Sequence, residues 1–285
     1  MVRPVRPGHV QSGLIQCGTR ALSLQRTLIM GVLNVTPDSF YDGGRFFDHQ
    51  QAMEHAERLV AEGADILDIG GESSRPGSDP VSAAEELRRV GRLIETLASN
   101  LNVPISIDTC QAETAARCLE LGATMVNDIT GLRDPAMREV VARHDVPAVI
   151  MHMQGEPKTM QQAPSYGDVV SDVKDFLARR ACDAAAAGVR QVIVDPGIGF
   201  GKTVAHNMEL LRRLQEFSDL PYPLLVGVSR KSSIGQITGA SPDERLPGTL
   251  AATAIAVLNG ANIVRVHDVK ECKQAVRMAE AVRGA

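Results

Sequence analysis

Eight short apolar runs, rich in β-branched residues, recur along this chain of 285 residues, and each run ends at polar or charged residues. Short apolar runs bounded by turn residues are typical of buried strands. Parallel strands bring their C-terminal ends to one face, so the polar residues that follow them should converge there. The strand-end residues are Asn34, Asp68, Asp108, Asn127, His152, Asp195, Lys231 and His267.

Ala-rich amphipathic segments separate these runs and predict helices. Several of the segments stop at a glycine, which is a common helix C-terminal signal: Gly63, Gly122, Gly188 and Gly260. Helices that alternate with strands favour a parallel sheet, because each crossover between parallel strands needs a helix-sized connection. The predicted helices cover residues 50–62, 82–99, 111–121, 135–144, 168–187, 205–217, 247–259 and 269–282.

The predicted fold class is α/β, a (β/α)8 TIM barrel in a single catalytic domain over residues 27–285. Eight units in about 250 residues fit this fold. A doubly wound open sheet is the alternative, but it collects its site at one switch point, whereas nearly every strand end here carries a polar group. Residues 1–26 precede the repeat, and a short hairpin is expected there, over the N-terminal mouth of the barrel. Three long connections are candidate lids: 36–50, 72–82 and 154–167.

Composition indicates a soluble enzyme-sized domain with a large aliphatic core, because 44% of the residues are apolar and only 3% are aromatic. A net charge of −4 provides no basic stripe, so nucleic acid is not an expected partner. The five cysteines are odd in number and widely spaced, which predicts free thiols in a reducing cytoplasm. We expect no signal peptide and no membrane-spanning segment.

The run DPGIGFGKT has the order of a phosphate-binding loop but not its spacing. The Walker pattern requires a glycine where this chain has Pro196, and proline has no N–H with which to bind phosphate. GIGFG also lacks the dinucleotide-binding spacing. What remains is Asp195 at a strand end, beside glycines that allow a flat ligand to approach the backbone.

Asp108, Asn127 and Asp195 lie at the ends of three predicted strands and should share one rim. Carboxylates and an amide together suit a heterocycle that presents several N–H donors. Each of these residues alone could simply cap the following helix. All three at strand ends favour a binding site.

Arg75, Lys231, Arg265 and His267 are expected to add positive charge to the same face, which suits an anion. Singly, each could be a solvated rim residue. His152 could line the pocket or be a packed, hydrogen-bonded core residue, and it is not counted among the site residues. No HExxH motif or Cys/His cluster predicts a zinc site. A metal would be Mg²⁺, held largely by substrate phosphates and water.

Eight collinear motifs give the chain a close resemblance to bacterial dihydropteroate synthases from about Leu28 onward. The resemblance implies a homodimeric (β/α)8 barrel that condenses (7,8-dihydropterin-6-yl)methyl diphosphate with 4-aminobenzoate, releasing pyrophosphate. The motifs are NVTPDSFYDGG, GGESSRPG, SIDT, VNDI, HMQGEPKTMQ, DPGIGFGKT, GVSRKS and RVHDV.

The same resemblance implies a role for each matched residue. The residues implied to bind the pterin are Asp108, Asn127, Asp195 and Lys231. Arg265 would stack on the ring and meet the diphosphate, which Asn34 and His267 would also meet, with Asn34 on Mg²⁺. The residues implied to shape the 4-aminobenzoate side are Phe40, Ser74, Arg75, Pro76, Phe200 and Ser232. Asp108 and Lys231 are the expected catalytic residues.

The working hypothesis is early C–O cleavage to a pterin cation that Asp108 stabilises. The alternative is a pterin-binding methyltransferase domain that partners a corrinoid protein. A class I aldolase that uses Lys231 as a Schiff base, and a pterin-binding module without catalysis, also remain open.

Overall fold

The computed structural model describes residues 13–35, 45–72 and 81–284. An antiparallel hairpin, formed by β1 and β2, precedes eight parallel strands, β3 to β10, which are neighbours in the order β8-β7-β6-β5-β4-β3-β10-β9. A further parallel bridge between Val194 and Leu224 brings β8 beside β9 and completes the ring. The strands are β1 (Leu14–Cys17), β2 (Arg20–Ser23), β3 (Leu28–Asn34), β4 (Ile66–Gly70), β5 (Ile105–Asp108), β6 (Met125–Asp128), β7 (Ala148–Met151), β8 (Val192–Asp195), β9 (Leu225–Val226) and β10 (Ile263–Val266).

The eight strands close into a ring, and helices alternate with them, so the predicted (β/α)8 barrel is confirmed and the open sheet is excluded. The four glycines predicted to end helices all have a positive φ, as at Gly63 (+108°) and Gly122 (+111°). The helices are α1 (Arg45–Glu62), α2 (Ala83–Asn100), α3 (Ala112–Glu120), α4 (Pro135–His144), α5 (Val169–Ala186), α6 (Val204–Arg212), α7 (Ser232–Thr238), α8 (Leu246–Leu258) and α9 (Val269–Arg283).

Three segments differ from the predicted boundaries. The first helix begins at Arg45, inside the predicted lid 36–50, rather than at residue 50. The helix predicted over 205–217 ends at Arg212, and a 3-10 helix, Leu214–Asp219, follows it. The short helix α7 was not predicted. It has no long amphipathic repeat, and it begins directly after the loop that carries Lys231.

The predicted hairpin is present, and its apolar side chains close the N-terminal end of the barrel. Ile15 and Cys17 of β1 are buried in one cluster with side chains from seven of the barrel strands. This cluster is separate from the larger core between the strands and the helices. The residues of the closing cluster are Ile15, Cys17, Leu28, Met30, Ile66, Met125, Val149, Ile193, Leu225 and Ile263.

No helix among the described residues is long and apolar enough to cross a membrane.

Replacing Ile15 by Ala should lower the free energy of unfolding by about 2–5 kcal/mol, because the fully buried side chain would leave a cavity at the bottom of the barrel. Leu14→Ala is the matched control, since Leu14 is the adjacent residue and is 40% exposed. Its expected cost is within about 0.5 kcal/mol. Urea unfolding measures both, and equal costs would mean that the hairpin does not seal the barrel.

Candidate active site

The carboxyl ends of β3 to β6 are in register, which aligns three predicted site residues along one edge. Asn34 pairs with Gly70, Gly70 with Asp108, and Asp108 with Asn127. Each of these residues ends its strand or lies one residue before its end. The parallel pairing therefore explains why residues far apart in sequence meet at the top of the barrel.

One cavity opens at this end of the barrel and has polar and apolar walls. Six of its lining residues were predicted as site residues: Asp108, Asn127, Asp195, Phe200, Lys231 and Arg265. The other lining residues are Ile129, Met151, Gly197, Ile198 and Gly227. Apolar walls with a few convergent polar groups are typical of a site for a small molecule.

Arg265 occupies the centre of the polar groups. Its Nε donates to Oδ2 of Asp68 at 2.6 Å, and its Nη2 donates to Oδ2 of Asp108, also at 2.6 Å. Burial alone would lower the pKa of Arg265, but the two carboxylates outweigh burial and raise it. The guanidinium is therefore a permanent charge that joins β10 to β4 and β5.

Asp68 is the main site residue that sequence reasoning missed, because it was noted only as a strand-end residue. Its side chain is fully buried, and its Oδ2 also accepts a hydrogen bond from Nδ2 of Asn127 at 3.1 Å. It therefore orients both Arg265 and Asn127 without lining the cavity. The available signal was a single charge inside the otherwise apolar strand ILDIG, since a buried carboxylate needs partners.

The two cavity carboxylates hold their protons more tightly than usual. Burial raises the pKa of Asp108 to about 7, with the charge of Arg265 opposing that rise and the charge of Asp68 adding to it. Burial also raises the pKa of Asp195, although the backbone N–H of Gly197 donates to its Oδ1 at 2.7 Å and favours the ionised form. Near neutral pH, the charge on Asp108 therefore depends on what occupies the cavity.

Lys231 faces Asp195 and Asp108 from the opposite side of the cavity. Its Nζ lies 4.2 Å from the centroid of the Phe200 ring, a cation–π distance. Burial lowers the pKa of Lys231 to about 8, and the neighbouring charge of Arg265 contributes to the fall. Lys231 can thus donate hydrogen bonds to a ligand as an ammonium group at neutral pH.

The expectation that His267 adds a positive charge is wrong for the structure without ligands. Burial and the charge of Arg265 lower the pKa of His267 to about 3, so its ring is neutral. The Oγ of Ser229 lies 3.0 Å from its Nδ1 and accepts from its backbone N–H. Sequence cannot reveal this, because the lowered pKa depends first on burial of the ring and then on neighbouring cations, and tertiary structure decides both.

The remaining predicted residues lie at the rim or outside the described residues. Asn34 is half-buried at the end of β3, and Ser232 is the exposed first residue of α7. Ser74 and Arg75 lie outside the described residues, as do Phe40 and Pro76. His152 is buried beneath the loop after β8 and is absent from the cavity lining, which agrees with its exclusion from the predicted site.

The fold and the cavity define a barrel enzyme that binds a flat, hydrogen-bonding ligand beside a cationic wall. The family model described as "Pterin binding enzyme" matches residues 30–267. The dihydropteroate synthase of Escherichia coli K12 is 46% identical over 267 residues, covering 93% of this chain and 95% of the relative. The chain therefore belongs to the pterin-binding enzyme family, and within it to the dihydropteroate synthases.

Solved structures agree with this assignment. A Yersinia pestis dihydropteroate synthase in complex with a sulfonamide drug has a TM-score of 0.91 and 44% identity, covering 95% of this chain and 100% of that one. A Xanthomonas albilineans dihydropteroate synthase in complex with 7,8-dihydropteroate has a TM-score of 0.87 and 42% identity, covering 95% and 99%. The similarity thus spans the whole barrel.

Replacing Asp68 by Asn should lower the pKa of Asp108 by about one unit or more, because a neighbouring negative charge disappears and Arg265 is left to Asp108 alone. A ¹³C NMR titration of the ligand-free protein measures this, with the Asp108 signal assigned from Asp108→Asn. Asp65→Asn is the control, since Asp65 pairs with Arg26 before β4, at the opposite end of the barrel. An unchanged midpoint in Asp68→Asn would contradict the coupling of the two carboxylates.

Proposed function

We propose that this chain condenses (7,8-dihydropterin-6-yl)methyl diphosphate with 4-aminobenzoate to give 7,8-dihydropteroate and pyrophosphate. The observation that carries the proposal is the single cavity in which Asp108, Asn127 and Asp195 face Lys231 and Arg265. The three acceptor side chains suit the N–H edge of a pterin, Lys231 can donate to the ring, and Arg265 suits the diphosphate. Membership of the dihydropteroate synthases supports the same reaction.

The pterin would lie on the polar floor of the cavity. Asn127 and Asp195 are 4% and 5% exposed, so hydrogen bonds from the ring to them would form away from water and gain in strength. Lys231 would donate to the ring from the other wall. Asp108 would face the methylene group from which the diphosphate leaves.

The diphosphate would lie toward Asn34, Arg265 and His267. Its negative charge would raise the pKa of His267, which is neutral without ligand, and so favour a second cation beside Arg265. The 4-aminobenzoate would approach from the loop side, where Ser74, Arg75, Phe200 and Ser232 are the proposed contacts.

Mg²⁺ is the proposed cofactor, and the site fits a loosely held ion. The described residues include no group of three or more His, Cys, Asp or Glu side chains that could hold a metal by themselves. Asn34 offers a hard amide oxygen at the rim, and Mg²⁺ commonly relies on substrate phosphates and water for its other ligands. When bound, the ion would supply charge neutralisation for the diphosphate oxygens.

The reaction would begin with cleavage of the C–O bond, whose electron pair leaves with the diphosphate. The electron-rich pterin then carries positive charge at its exocyclic methylene, and ionised Asp108 stabilises that charge in a cavity of low dielectric. The amine nitrogen of 4-aminobenzoate forms the new C–N bond and loses a proton. Removal of water from the cavity protects the cation from hydrolysis.

The comparisons do not favour the methyltransferase alternative. A pyrophosphate-release assay tests the choice directly. We expect release that depends on both substrates and that stops when a chelator removes Mg²⁺. Absence of pyrophosphate release would overturn the proposal, while borohydride trapping of Lys231 with a carbonyl substrate would instead support the aldolase.

Asp108→Asn should lower kcat about 10²- to 10³-fold, because the amide cannot supply the charge that stabilises the cation. Circular dichroism should show an unchanged fold. Asp183→Asn is the control, since Asp183 pairs with Arg180 on α5, outside the cavity. A near-normal kcat for Asp108→Asn would remove Asp108 from this role.

The chain would work in the cytoplasm, because its five cysteines are all free thiols, as expected in a reducing compartment.

The protein would be a homodimer that pairs through α8 and α9. These neighbouring helices expose large apolar side chains: Ile255 and Leu258 of α8 are each 43% exposed, and Met278 and Val282 of α9 are 65% and 71% exposed. Exposed apolar side chains on adjacent elements are typical of a protein interface.

Light scattering should therefore give about twice the chain mass of 30.5 kDa, and Ile255→Glu should shift the protein toward monomer, because it places a charge in the apolar interface. Leu14→Glu is the control, since Leu14 lies on the hairpin at the closed end of the barrel. A monomeric parent protein would contradict the dimer.

A further inference from the structure

The lysine of DPGIGFGKT is buried next to the cavity but does not line it. Lys202 is 3% exposed, and its Nζ lies 2.9 Å from Nδ1 of His152. The same atom donates to three backbone oxygens: those of Gly197 and Phe200 at 2.9 Å, and that of His152 at 3.3 Å. One amino group therefore joins the loop after β8 to the end of β7.

The loop after β8 lies directly against the backbone that follows β7. A Cβ on Gly197 would be 1.9 Å from the carbonyl oxygen of His152, and one on Gly201 would be 2.4 Å from that of Gln154. Both glycines have a positive φ, +66° and +59°. Because no side chain fits between the two backbones, their inward-facing carbonyl groups need a donor from elsewhere, and Lys202 provides it.

The opposite face of this loop supports the cavity. The Nζ of Lys231 lies over the Phe200 ring, 4.2 Å from the ring centroid. A Cβ on Gly199 would be 3.0 Å from Cδ of Lys231. The position of the loop therefore fixes both the aromatic wall and the course of the Lys231 side chain.

We propose that Lys202 is a positioning residue for the condensation, holding Phe200 beneath Lys231 through the carbonyl groups that it binds. This inference rests on the proposed function, which supplies the reaction by which it is measured. Lys202 does not line the cavity, and it binds the carbonyl oxygen of Phe200 directly, so the main route proposed for its influence on the reaction is through Phe200. Loss of Lys202 should therefore affect the enzyme chiefly by releasing that ring.

Lys202→Met keeps the length of the side chain and removes the donor. We expect kcat/KM for 4-aminobenzoate to fall about 100-fold, the size of effect that a displacement of about 1 Å produces. At least a tenfold share should appear as a higher KM for 4-aminobenzoate, with a smaller rise in KM for the pterin diphosphate, which Lys231 also contacts. A smaller folded fraction would lower kcat and leave both KM values unchanged, and that result would overturn the proposal.

A double-mutant cycle tests the route through Phe200. If Lys202 acts by holding Phe200, then Lys202→Met should lower kcat/KM for 4-aminobenzoate by less than about threefold in a Phe200→Leu background. The effects of substitutions at two interacting residues are not additive in free energy. If the double variant instead loses kcat/KM by the product of the two single losses, the residues act independently and the proposal is overturned. Lys174→Met is the matched control: Lys174 pairs with Asp219 on the surface, and its loss should leave kcat/KM unchanged.

Amide hydrogen exchange keeps the test independent of activity. Residues 197–201 should exchange at least tenfold faster in Lys202→Met than in the parent protein, and Lys202→Gln, which retains an N–H₂ donor, should show a smaller increase. Unchanged exchange of residues 197–201 in both variants would overturn the proposal that Lys202 holds the loop. A parent protein with no pyrophosphate release would instead refute the proposed function, and the exchange data would still decide whether Lys202 holds the loop.

Discussion

The ion pairs of Arg265 are the interaction on which the rest of the site depends. A single guanidinium binds Asp68 on β4 and Asp108 on β5, and Asp68 in turn binds Asn127 on β6. Burying a charge costs free energy unless its partner is present. Removing one of these charged side chains would therefore leave another buried charge uncompensated. The polar floor of the cavity is therefore a single unit rather than a set of independent contacts.

This unit also explains why the site is sensitive to its occupant. Burial and the nearby charge of Asp68 raise the pKa of Asp108 to about 7, against the opposing charge of Arg265, which the two carboxylates share. A ligand that donates hydrogen bonds to Asp108, or one that brings negative charge to Arg265, changes that balance. A pterin diphosphate combines both features, since its ring carries hydrogen-bond donors and its diphosphate carries negative charge.

The barrel was predictable because its signals are local. Apolar runs, amphipathic spacing and glycines at helix ends each act within a few residues, and they identified the barrel and the hairpin correctly. The helix α7 and the early end of α6 were missed, since tertiary packing rather than periodicity decides them. Local patterns also brought Asp108, Asn127 and Asp195 to one rim. They could not reveal the pairing of Asp68 with Arg265, which are 197 positions apart, or the neutral ring of His267.

The hairpin at the closed end of the barrel determines where ligands enter and leave. Ile15 and Cys17 fill the bottom of the barrel, so in the part of the chain that the structure describes the interior opens at the carboxyl ends of the strands. Any molecule seated on the floor must enter and leave past whatever occupies the rim. A compound that binds tightly at the rim therefore traps the one beneath it, and a slow exit at the rim delays both.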